Sequence, residues 1–203
     1  MILRSPRLAP SSTSLKAVVY DLSGNVIASG NRPTERFHPD PAHPDWTVWD
    51  PAQIWNGAAA AVKEAVSRLD DPGAIAAVAV TGMGMDGVPM DEKGAWLYPF
   101  ISWLCPRTEP QLQWWEKNIG AEKNFSIGGN TVWRYSTALR LLWMAEHEPE
   151  ILSRTKKWLL IEDFLNFMLC LFTHKLKHFM PPSFSLSIPI YEARLLQLEI
   201  QIC

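Results

Sequence analysis

The stretch IAAVAVTGMGMDGVPMDEKGAWLYPFISWLCPR (Ile75–Arg107) decides how the chain is read. It opens on a continuous apolar run and breaks into small residues around Asp86. A polar turn follows at Asp91–Gly94, and the stretch closes on Trp103 and Arg107. Residues Ala74–Thr81, apolar on both faces, predict a buried strand at the centre of a sheet covered on each side. A strand that empties into a Gly-rich loop with one acid suits a small polar ligand. The Asp86 carboxylate can accept hydrogen bonds from neighbouring hydroxyls, as a sugar offers, or serve local backbone amides in a turn. Trp103 can lay its ring on a sugar face or fill the core. Arg107 can aim its planar fork at hydroxyls or pair with an acid such as Glu109.

Upstream, Leu15–Tyr20 and Val26–Ser29 are short β-rich runs joined by Asp21–Asn25, which predicts a hairpin. Val88–Met90 and Trp96–Pro99, joined by Asp91–Gly94, predict a second. The Pro-rich residues 31–49 read as a surface loop. Asp50-Pro51 is a helix start, with a capping side chain followed by a proline at the first helical position. Ile54, Ala58, Ala61, Val62, Ala65, Val66 and Leu69 then line one helical face.

Downstream, helices are expected over Pro110–Lys117, Thr137–His147 and a short segment from Pro149. A brief strand follows at Lys157–Leu160, then an apolar helix over Ile161–Leu171. The pattern predicts an α/β architecture, a mixed sheet flanked by helices. After Phe172 the composition changes, and Glu192–Ile200 is the only later stretch with helical amphipathicity.

The chain has 203 residues, 47% of them hydrophobic and 20% charged, as expected of a globular domain. A formal charge of -2 gives no reason to expect nucleic acid or a membrane surface as partner. Trp158–Phe172 is broken by Glu162, Asp163 and Asn166 and is too short to span a bilayer. The N-terminus lacks the apolar core of a secretory signal. Cys105, Cys170 and Cys203 share no short spacing, so neither a zinc site nor a redox pair is expected, and an odd count suits a reducing cytoplasmic setting. His38 and His43 lie near Asp40 and Asp45, but a Pro-rich loop gives them no preset geometry, and no metal site is expected.

With these residues laid out, the chain resembles the N-terminal domain of the FGGY carbohydrate kinases, nearest to their fuculokinase branch, over about Ser12–Leu169. The likeness is carried by Val80–Gly87, by Asp91 and Gly94, and by Leu97–Thr108, where Trp103 and Arg107 stand as the family's Trp-x-x-x-Arg element. The resemblance implies a ribonuclease-H-like domain of the actin/hexokinase type. It implies ATP and Mg²⁺ as cofactors and a ketose or deoxyketose as substrate. Asp86, Gly87, Trp103, Arg107 and Tyr135 would be the sugar contacts.

Two departures qualify what it implies. Ser12, Thr13 and Lys16 match the end of the family's phosphate loop, yet Ala9 stands at its Asp and Ser11 at its Gly. Pro6 and two arginines in residues 1–8 oppose a central first strand. The chain also ends before the family's second domain, which carries the catalytic base. The expected organisation is therefore a divergent segment (1–11), a kinase N-terminal domain (12–172) and an unrelated tail (173–203), with the C-terminal kinase domain absent. No catalytic residue is expected in such a shortened, inactive chain. A non-catalytic remnant that binds sugar, or that binds a protein or itself through an exposed cleft face, is the alternative.

Overall fold

The computed structural model describes residues 5–10 and 13–176, with side chains described for 13–170. Strand β1 (Ser5–Pro10) pairs antiparallel with β2 (Ser14–Tyr20), which pairs antiparallel with β3 (Val26–Pro33). A two-residue strand, β5 (Ala79–Val80), adds parallel to β1, giving the mixed order β3-β2-β1-β5. Strand β4 (Val48–Trp49) pairs with β7 (Phe100–Ile101), and β6 (Gly87–Met90) with β8 (Lys157–Leu160), each antiparallel.

The predicted first hairpin is present, and its turn is built by one carboxylate. Asp21 Oδ1 accepts from the amides of Ser23 and Asn25 at 2.9 and 2.8 Å. Asp91 repeats the device, accepting from Lys93 and Ala95 at 2.9 and 2.8 Å. Beyond that second turn the chain makes a single bridge, Met90 to Trp96, because β6 gives its ladder to β8.

Helix α1 (Pro51–Val66) starts where expected, with Asp50 accepting from the Ala52 amide at 2.9 Å. Its Ile54, Ala58, Ala61 and Ala65 pack on Ala17, Val19 and Ala28 of the sheet. The alanine stripe lets the helix lie close. A Cβ on Gly30 would stand 2.1 Å from the Ala61 carbonyl oxygen, which the helix holds in place. Gly30→Ala is expected to destabilise the fold by about 1–3 kcal/mol, read as a lower urea midpoint with unchanged m-value.

Helices α2 (Glu109–Asn118), α3 (Ala121–Gly128), α4 (Thr137–His147), α5 (Pro149–Arg154) and α6 (Ile161–Leu176) follow. Strand β8 and helix α4 have the predicted bounds. Helix α6 runs past the expected Leu171, because nothing in Phe172–Leu176 breaks a helix. The other tail residues, Glu192–Ile200 and Cys203 among them, lie outside the described residues.

Three expectations are corrected. Ala74–Thr81 is no buried central strand: only Ala79–Val80 pair, at the edge of the sheet, and Val78 is 53% exposed. An apolar run asks for cover on both faces, but β5 has only β1 beside it among the described residues. Second, Pro6 does not keep residues 5–10 out of the sheet. Strand β1 lies between β2 and β5, and β5 reaches only Arg7 and Leu8, so Pro6 has a partner on one side alone. Third, residues 31–49 are not all surface, since Val48 and Trp49 are buried in β4. Among the described residues no helix is long and apolar enough to cross a membrane.

Candidate functional site

Asp86 ends the loop between β5 and β6 and is fully buried. Trp49 Nε1 donates to its Oδ2 at 2.7 Å, and Arg140 Nη2, from α4, donates to Oδ1 at 2.9 Å. The Trp103 backbone also favours the ionised form of this carboxylate. Arg140, 1% exposed, also donates through Nη1 to the Met85 carbonyl. Burial is the strongest influence on both ions, pushing the Asp86 carboxyl up and the Arg140 guanidinium down, while their mutual attraction opposes each shift. A carboxylate offers about four lone-pair positions, and Trp49 and Arg140 use two of them.

Gly87 follows with no side chain for a plain steric reason. A Cβ there would stand 2.0 Å from Trp158 Nε1, so the indole of β8 lies directly on the backbone beside Asp86.

Arg107 is 3% exposed, and its fork is clasped by aromatic rings. Its guanidinium carbon lies 4.5 Å from the Trp46 ring centroid and 4.8 Å from that of Trp143. Nε donates to Cys105 Sγ and Nη1 to the Tyr98 hydroxyl, both at 3.1 Å. Its side-chain partners are thus Tyr98 and Cys105, and Glu109 is not among them. Buried Arg107 Nη2 and Trp158 Nε1 have no hydrogen-bond partner, two donors left over beside the Asp86 network.

The third group is aromatic. The Trp103 ring meets Tyr135 edge-on at 6.4 Å, and Tyr135 lies parallel to Trp133 at 6.0 Å. Thr108, next to Arg107, donates its hydroxyl to the Arg134 carbonyl and so ties this segment to the Arg107 corner. Asp86, Gly87, Trp103, Arg107 and Tyr135 therefore form one connected region. A separate groove of about 440 Å³, lined by Phe37, Val48, Trp96 and Tyr98 among others, contains none of them.

The profile of the FGGY family of carbohydrate kinases, N-terminal domain, matches residues 11–178. The chain belongs to the FGGY family of carbohydrate kinases. L-fuculokinase of Escherichia coli (strain K12) is 31% identical to this FGGY domain over 157 residues, covering 76% of this chain and 32% of its own length. The xylulose kinase of Rhodospirillum rubrum superposes with a TM-score of 0.74 at 26% identity, covering 83% of this chain and 34% of that one. Glycerol kinase of Plasmodium falciparum, solved with ADP, superposes at 0.73 with 22% identity, covering 82% and 34%. The fold is thus the ribonuclease-H-like, actin/hexokinase type. The chain spans about a third of the length of the relatives it matches.

Sugar kinases of this family use ATP and a divalent metal, and the residues expected from the sequence to be the remnant of a phosphate loop begin between β1 and β2. Ala9 and Lys16 face each other there across the ladder, as do Pro10 and Leu15. Ala9 has no carboxylate for a metal and Pro10 no amide for a phosphate. Thr13 and Lys16 are exposed, and Ser12 lies outside the described residues. No group of three metal-ligating side chains occurs among the described residues. Ala9 and Pro10 thus lack the carboxylate and the amide that would serve ATP with Mg²⁺, and no step is derived through this turn.

Sequence reasoning missed Arg140 and Trp49. The signal for Arg140 was present: it stands among Leu139, Trp143 and Met144 on the buried face of α4. An arginine on an apolar stripe calls for a buried acid. Trp49 was hidden by the polar, Pro-rich residues before it.

Proposed function

We propose that this chain supplies the sugar-binding wall of an FGGY carbohydrate kinase, a transferase that phosphorylates a hydroxyl of a ketose or deoxyketose, as the fuculokinase likeness suggests. The observation that carries the reading is Asp86, buried immediately before Gly87 at the start of β6 and held by Trp49 and Arg140. Two donors fix the carboxylate and leave lone-pair positions for a ligand hydroxyl. The loop just before Asp86 reaches the surface at Met85, which is 43% exposed. Trp103 and Tyr135 offer ring surface to the C–H face of the sugar. Gly87 keeps the backbone open to Trp158, and Arg107 braces the corner that bears Trp103. A cytoplasmic setting suits Cys105, which is buried and forms no disulfide among the described residues.

Asp86 is spent on holding a ligand, and the 203-residue chain is not expected to hydrolyse ATP in response to sugar. Calorimetry of the whole chain with L-fuculose is expected to give millimolar binding, and Asp86→Asn to weaken it at least tenfold by exchanging an ionised acceptor for a neutral amide. No heat with L-fuculose, L-rhamnulose or xylulose at millimolar concentration would remove the proposal. A protein-binding or self-associating role is favoured by one separate observation, the exposed Phe125 and Ile127 of α3, at 61% and 77%. A concentration-independent monomer in sedimentation would set that role aside.

A further inference from the structure

We infer that the ion triad Arg32, Glu64 and Arg68 closes the outer edge of β3 and keeps it from pairing with the same edge of a second copy of this chain. Among the described residues β3 ends the four-stranded sheet and has β2 on one side only. An uncovered edge presents a row of unpaired amides and carbonyls to which another strand can add.

The register shows which groups those are. The Thr34 amide, just past β3, donates inward to the Thr13 carbonyl. Backbone groups alternate sides along a strand, so Gly30 and Arg32 bond toward β2, while Ser29, Asn31 and Pro33 face outward. Both outward carbonyls before the proline are taken. Arg68 Nη1 donates to that of Ser29, and Arg32 Nη1 to that of Asn31 at 2.6 Å. Pro33 has no amide to offer. At the other end the ladder steps from Val19–Ala28 to Tyr20–Val26, so Ile27 is a bulge that interrupts the edge. Glu64 ties the arginines together, its Oε1 accepting from Arg68 Nη2 at 2.5 Å and its Oε2 from Arg32 Nη1. Gly30 lets α1 bring Glu64 to this line, since a Cβ there would stand 3.0 Å from Glu64 Cβ.

The triad does little for stability. The Arg32 and Arg68 side chains are 40% and 54% exposed, and ion pairs this open to water contribute little to folding. Its effect falls on an incoming strand, which must displace both guanidinium groups to reach the carbonyls. The strand that fits is β3 itself. A two-fold axis at Gly30 sets Ser29 of one copy against Asn31 of the other, so the outward groups are complementary to themselves. Leu22 and Val26, exposed at the hairpin end, add apolar contact once the edge is open.

The test is sedimentation velocity on the full 203-residue chain, from micromolar to near-millimolar concentration. Arg32→Ala with Arg68→Ala frees both carbonyls, and its sedimentation coefficient is expected to shift toward a dimer well beyond any shift of wild type. Arg68→Ala alone, which frees only Ser29, should shift less. Adding Ser29→Pro removes an outward amide without touching a bond to β2, and should return the double variant to wild-type behaviour. Far-UV circular dichroism checks that each variant, and Ser29→Pro by itself, is folded. Folded single and double arginine variants that sediment as wild type would overturn the inference. Association that Ser29→Pro leaves unchanged would overturn it too, because it would run through another surface.

Discussion

Arg140→Met is expected to lower the free energy of unfolding by about 3–5 kcal/mol, because it leaves the Asp86 carboxylate buried without its cation. For a domain of this size that is a fall in Tm on the order of 10 °C. Asp86 and Arg140 are 0% and 1% exposed, so water cannot replace the lost partner without opening the core. The instructive comparison is the double variant Asp86→Leu with Arg140→Met. Replacing both ions with apolar groups removes the desolvation cost along with the attraction, and stability should return to near wild type. Thermal unfolding of the two single variants and the double variant closes a thermodynamic cycle. A single Arg140→Met variant as stable as wild type would mean that the pair is not formed. The restored double variant should still fail to bind a ketose, which separates the two duties of Asp86.

Trp143→Ala is the second large effect, expected to cost about 3–5 kcal/mol. Trp143 is 2% exposed and supports a whole neighbourhood. Trp46 meets it edge-on at 5.5 Å, His147 stacks on it at 5.0 Å, and its ring forms one face of the clasp around Arg107. Truncation opens a cavity and removes that face at once. Trp143→Phe keeps an aromatic face and should lose clearly less. The urea midpoint gives the stability change, and loss of near-ultraviolet dichroism would report that the clasp has relaxed. If Trp143→Ala and Trp143→Phe cost the same, the ring face contributes nothing beyond volume.

Local signals carried much of the fold. Asp50-Pro51 placed the start of α1, because a cap and a fixed φ act within one turn. Lys157–Leu160 and Thr137–His147 were legible for similar local reasons. Ala74–Thr81 was misread because an apolar run reports an average wish for burial, while the number of strands beside it is decided elsewhere in the chain. The site divides along the same line. Asp86, Gly87, Trp103 and Arg107 lie within 21 positions and could be read as a group. Trp49 and Arg140 reach the same carboxylate from 37 and 54 residues away, and no spacing rule links them to it. The clasp around Arg107 was equally hidden, since an arginine's partner can be a carboxylate or a pair of indoles and the sequence offers both.

The close packing of α1 on β2 and β3 also bears on how the chain assembles. Residues 14–66 form a hairpin and a helix that cover one another with neighbours in sequence. Closing such short loops costs little entropy, so this unit is suited to form early, even while later residues are still being synthesised. The Asp86 network must wait for α4, whose Arg140 completes it from 54 positions downstream. Until then the acid stays hydrated and carries no desolvation cost. Burial of the charge and arrival of its counter-ion thus coincide in time.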